Sequence, residues 1–225
     1  MERIMKTFLA TMIITMAVTT AAFPQNINWR SLREDQHNLL QLNFGYDYGV
    51  TAEAGYYRTF TMFRPASIGL DISVPMGNDL FDDFKTRLGG QIEVLEVGGF
   101  SATVRFSSVF RRYESELVKI SSFGADYAVI AGYYSPTWSV SGEFGRDKAI
   151  TSRLKHSDLM KESFPGIKDG WYVPTGGHWF YGFHGGKTLG ETLDLYLKVG
   201  ATEAQENDEN AAIPYYLQMG LGVRF

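Results

Sequence analysis

The chain has 225 residues and no cysteine. That excludes a disulfide framework, a thiolate metal site and a lipid anchor on an N-terminal cysteine. There are only four histidines and seven prolines. Beyond the first two dozen residues no apolar run approaches the ~20 residues a spanning helix needs. No strong charge of one sign is present either. The formal net charge is -4, which gives no electrostatic ground for nucleic-acid binding. A glycine-rich phosphate loop is missing too; Gly185-Gly186-Lys187 sits at the end of an alternating segment and reads as a turn. Helical periodicity is nearly absent from His37 onward.

What is present is aromatic and glycine-rich. Aromatics make up 15% of the chain, mostly Tyr and Phe, alongside 24 glycines and 20% charged residues. Residues 1–22 carry a basic start (Arg3, Lys6), a short apolar stretch rich in Thr and Ala, and small residues at Ala21-Ala22. This pattern predicts a cleavable signal peptide. Its removal takes away Glu2, Arg3 and Lys6, a net +1, and leaves a mature charge of -5. Residues 23–36 are polar and predict a short lead-in on the periplasmic side.

Residues 37–225 alternate with period two, the mark of half-buried strands. Leu40, Leu42, Phe44, Tyr46 and Tyr48 oppose Gln41, Asn43, Gly45 and Asp47. Ile68, Leu70, Ile72 and Val74 oppose Gly69, Asp71 and Ser73. From Lys85 to Val94 one face carries Lys85, Arg87, Gln91 and Glu93, which must point inward if the other face meets lipid. Counting every such segment gives about ten strands. The last sets Leu217, Met219, Leu221, Val223 and Phe225 against Gln218, Gly220, Gly222 and Arg224, and the chain stops at Phe225.

That closing strand resembles the carboxy-terminal signal of bacterial outer-membrane β-barrels, an alternating apolar strand ending in Phe. The resemblance implies an all-β fold: a closed antiparallel transmembrane β-barrel in the outer membrane of a Gram-negative cell envelope. It also implies that the barrel-assembly machinery reads Leu217, Met219, Leu221, Val223 and Phe225. Connection lengths agree. Short turns are expected at 61–66, 95–99, 135–136 and 188–190, and longer outer loops at 75–83, 107–118, 147–177 and 202–214. The connection near Gly49 is the exception and looks tight. The 147–177 loop is expected to be irregular, with a short amphipathic helix over 150–164.

The inward face is expected to hold Glu53, Asp71, Glu93, Asp126, Glu143 and Asp194, with Lys85, Arg87, Arg105, Lys198, Arg224 and His184. Mixed signs in a narrow barrel predict a paired plug rather than a one-signed ion filter. No metal site or cofactor is expected, and no catalytic set. His156-Ser157-Asp158 are neighbours in a loop, and a triad is spatial rather than sequential. No stretch matches the motifs of outer-membrane proteases, lipid A deacylases or phospholipases. The leading expectation is a non-enzymatic outer-membrane protein, serving membrane integrity, surface contact or porin-like passage of small solutes, with outer-membrane lipid around it. Two alternatives stand beside it: a hydrolase with a site at the outer rim near His178, and a soluble periplasmic β-domain. The acidic run 203–210 reads as solvated.

Overall fold

The computed structural model describes residues 26–46, 49–77, 82–173, 176–204 and 214–225. The expected signal peptide and most of the acidic run lie outside them. Eleven strands follow in chain order: β1 (Asn38–Tyr46), β2 (Val50–Thr61), β3 (Pro65–Pro75), β4 (Asp83–Val97), β5 (Phe100–Glu114), β6 (Val118–Tyr134), β7 (Trp138–His156), β8 (Gly170–Tyr172), β9 (Gly177–Leu189), β10 (Leu193–Ala204) and β11 (Tyr215–Arg224). Ten of them close into an antiparallel barrel. The closure runs through β1 and β11, with Leu40 opposite Val223 and Leu42 opposite Leu221. The short β8 lies outside the ring and pairs with the far part of β7.

Both described chain ends lie at one end of the barrel, here called the terminal end. All turns there are short. The β4–β5 hairpin turns on Gly98 and Gly99, with φ of +58° and +99°. A two-residue turn that follows the strand twist needs positive φ at both positions, which glycine supplies without strain.

The other, distal end departs from expectation. The 107–118 loop is mostly strand, because β5 runs to Glu114 and β6 starts at Val118. The 147–177 segment is not one irregular loop. Strand β7 continues to His156, and the helix, α1, is confined to Asp158–Ser163. The four-residue apolar spacing of Ile150 and Leu154 suits either period. The waiting edge of β6 decides it: Ile120 faces Leu154 and Ser121 faces Arg153. Helix begins only where Ser157 caps it, accepting from the Met160 amide at 3.3 Å. The register slips at Phe123/Gly124, leaving Ile150 as a bulge, and again at Glu93/Leu95, leaving Val94. Strand β4 therefore runs past the expected end at Val94.

Packing is inverted relative to a water-soluble fold. Leu40, Leu42 and Phe44 are exposed, as are Ile68, Leu70, Phe106, Val129, Leu195 and Leu197. Charged and amide side chains fill the inside. Interior glycines make room for interior rings. A Cβ on Gly69 would stand 2.2 Å from the Tyr57 ring, and one on Gly200 equally close to Tyr216.

Candidate functional site

The twelve charged residues expected to face inward (Glu53, Asp71, Lys85, Arg87, Glu93, Arg105, Asp126, Glu143, His184, Asp194, Lys198 and Arg224) are all buried in the barrel. Neighbouring strands set some of these charges side by side, Asp71 lying directly opposite Arg87 in the ladder, and the curl of the barrel adds contacts between strands that do not pair. On one side of the interior, Arg87 Nη1 lies 3.0 Å from Glu53 and 2.9 Å from Asp71. Asn43 donates to Glu53 at 2.7 Å, and the Tyr57 hydroxyl donates to Asp71 at 3.0 Å. On the other side Glu143 gathers Lys198, His184 at 3.2 Å and the Tyr216 hydroxyl at 2.7 Å. Arg105 bridges the two halves of that cluster, 3.4 Å from Asp126 and 3.6 Å from Glu143. Its guanidinium and the Lys198 ammonium also lie over the Phe180 ring, each 5.9 Å from the centroid. Glu93 accepts from Ser101. Arg224 pairs with Asp194 at 3.0 Å. Among the described residues no single sign forms a ring; opposite charges alternate and pair.

The terminal end is stoppered by a segment that sequence reading left as a lead-in. Residues 26–36 fold across the mouth, with a 3-10 turn at Trp29–Ser31. Ile27 and Trp29 are buried against Leu39 and Tyr57. The Trp29 indole donates to Thr103 at 3.2 Å, and Asn26 reaches the Tyr134 hydroxyl and Ser141. Arg30 pairs with Glu96, Arg33 with Glu191, and Arg224 donates to the Ser31 carbonyl. The signal was three apolar residues, Ile27, Trp29 and Leu32, in an otherwise polar stretch, Leu32 also packing against the cluster.

At the distal end lies a cavity of about 230 Å³, lined by Lys85, Arg111, Ser122, Gly124, Asp147 and His178 among others. The small Gly124 and Ala149, beside the β7 bulge, leave the space. Lys85 reaches across to Asp147 at 2.6 Å, and His178 stands opposite Asp147 in the ladder. The Ser122 hydroxyl bonds to Ser152 at 2.7 Å. A carboxylate, an imidazole and a hydroxyl therefore share this cavity, and the hydroxyl's partner is another serine. His156 lies apart from Asp158 as a partner. Its backbone amide and ring both meet Asp169, at 2.8 and 3.0 Å, and Lys161 joins at 2.7 Å. Among the described residues no group of three or more His, Asp or Glu is placed to hold a metal ion.

This Asp169 clasp pins the distal cap over the end of β7. The His156 amide, then the Lys161 ammonium, hold the Asp169 carboxyl well below the usual carboxylate range. A lowered folded value means that the stabilisation is full above the unfolded value of about 3.9. It is lost as pH falls further, through the folded value. The expected result is a cap that resists proteolysis at neutral pH and opens in strong acid. Asp169→Asn should make the 157–169 segment cleavable already at neutral pH, read by mass mapping of the fragments. Equal resistance in the variant would remove the clasp from the account.

The closing strand keeps its expected faces. Leu217, Met219, Val223 and Phe225 are exposed on the outer wall, Leu221 is half-buried there, and Gln218 and Arg224 are buried inside. Phe225 is tied at both its amide and its carbonyl to Asn38, at 3.0 and 2.9 Å. Compared with family models and with curated proteins, the sequence matches none of either.

Proposed function

We propose that this chain is a plugged, non-enzymatic outer-membrane β-barrel that works at its distal surface rather than through its interior. One observation carries the reading: a closed barrel with an apolar band around its outward wall, while the charges at the level of that band are buried and paired inside. Water would penalise that wall. Lipid accepts it, and closure satisfies the backbone without edges.

Rings mark both borders of the apolar band. Phe100, Tyr133 and Trp138 touch in series at the terminal end, with centroids 5.3 Å apart at each step. Phe144 and Trp179 stack at 5.3 Å nearer the distal end. Girdles of this kind sit at membrane interfaces. A strand needs about 9–11 residues to cross, whereas β6 has 17 and β7 has 19. Their surplus would stand clear of the outer leaflet with α1 and β8, offering a surface for contact. The filled interior and the 26–36 stopper weigh against solute passage. The closing strand supports recognition by the assembly machinery, its outward residues and terminal Phe225 being the features that would be read.

A hydrolase at the distal cavity is the weaker reading, because Ser122 bonds to Ser152 rather than to an imidazole. A soluble domain is weaker still, since it would have to leave Leu40, Leu42 and Phe44 in water.

The test is refolding of the mature chain into phosphatidylcholine vesicles. The expected result is a heat-dependent gel shift, strands protected from protease, and no conductance steps in a planar bilayer. Removal of Phe225 should slow insertion by the assembly machinery while leaving spontaneous refolding intact. Steady conductance from shifted protein would make it a pore. A monodisperse folded chain in buffer without lipid or detergent would make it soluble.

A further inference from the structure

The outward wall has a gap in its cover of side chains. Across β7, β9, β10, β11 and β1 the register aligns Val140, Gly185, Leu197, Met219 and Phe44 in one outward row. Gly185 leaves that row open, and a Cβ added there would meet nothing within 4 Å. The result is a groove of about 690 Å³ on the outside of the barrel. It crosses five strands, four spacings of about 4.8 Å.

The edge of the groove toward the terminal end is charged. There the next row sets Trp138 beside Lys187. Lys187 is exposed, points outward, and makes no ion pair among the described residues. Its outward neighbours are Trp138, Leu195, Gly185 and Leu189, none of them acidic. It lies two residues before the end of β9, level with the ring series at Trp138. A lysine on a lipid-facing wall is tolerated where its head can reach the interface.

We propose that this groove binds one anionic phospholipid, its phosphate on Lys187 and one acyl chain laid over Gly185. The inference rests on the membrane reading above. A second copy of the chain fits less well, because a two-fold contact centred here would bring two Lys187 side chains together. An acyl chain gains little in the groove that it lacks in the bilayer. Selectivity therefore resides in the lysine, and the expected preference for an anionic headgroup is roughly fivefold.

The test is native mass spectrometry of the folded protein released from bilayers of equal phosphatidylglycerol and phosphatidylcholine. Phosphatidylglycerol should be enriched about fivefold on the wild-type chain. Lys187→Gln should erase the enrichment. Gly185→Leu should displace the lipid while keeping the heat-dependent gel shift, since the added side chain meets open space. Enrichment that survives Lys187→Gln, or lipid that survives Gly185→Leu, overturns the proposal. So does a dimer that Gly185→Leu dissolves, which would assign the groove to a second copy. A chain that never enters the bilayer fails earlier and differently: it overturns the membrane reading before any lipid is weighed.

Discussion

Arg87→Ala should lower the unfolding free energy of the refolded barrel by about 3 kcal/mol. Arg87 is buried, and its guanidinium lies within 3.0 Å of both Glu53 and Asp71. Removing it leaves two carboxylates facing each other across an interior they cannot leave. The cost is chiefly that of uncompensated buried charge, not the loss of a favourable bond. A buried pair is often worth little beyond the desolvation it offsets. The triple change Glu53→Gln, Asp71→Asn and Arg87→Met should therefore recover most of the loss, because it removes the charges together. Urea unfolding followed by the heat-dependent gel shift reads both variants. A loss under about 0.5 kcal/mol for Arg87→Ala, the scale of an ordinary surface change, would mean that water replaces the guanidinium. The interior would then be wet rather than plugged.

Trp29→Ala should release the stopper without unfolding the barrel. Trp29 is buried with Ile27, Leu39 and Tyr57, and its indole donates to Thr103. Truncating a buried Trp costs about 3 kcal/mol or more. Spent on docking of residues 26–36, 3 kcal/mol multiplies the released population by roughly a hundred. Trypsin reads it directly, because Arg30 and Arg33 lie in the segment and are clasped by Glu96 and Glu191. Cleavage at both should accelerate by about that factor while the heat-dependent shift persists. Those two ion pairs are exposed and contribute little by themselves, so they should not hold the segment once the indole is gone. Unchanged cleavage would assign the docking to Ile27 and Asn26 instead. Loss of the shift would make the stopper part of the barrel's own core.

The barrel was legible where alternation had no competitor. Leu40 to Tyr46, Ile68 to Val74 and Leu193 to Val199 admit one period and one inward face, and the structure follows them. The inward set was legible for the same reason. A charge at every second position of an apolar strand has nowhere to go but inside. The distal part of β7 was not legible. Ile150 to His156 suits helix or strand, and only the free edge of β6 selects strand. The stopper was hidden because three apolar residues, Ile27, Trp29 and Leu32, are too few to carry a period.

Local pattern thus determined the strand faces, the inward charges and the number of barrel strands, since a slip of one residue would turn every apolar side chain to the wrong face. Tertiary structure decided the meetings between strands that are not neighbours. Arg87 meets Asp71 through the β3–β4 register itself, but Lys85 reaches Asp147 and Tyr216 reaches Glu143 only because the sheet curls around one interior, which no strand can encode by itself. It also decided that residues 26–36 close one mouth. Docking depends on a cavity of the right depth between Leu39, Tyr57 and Thr103, and that cavity exists only after the strands on either side have joined.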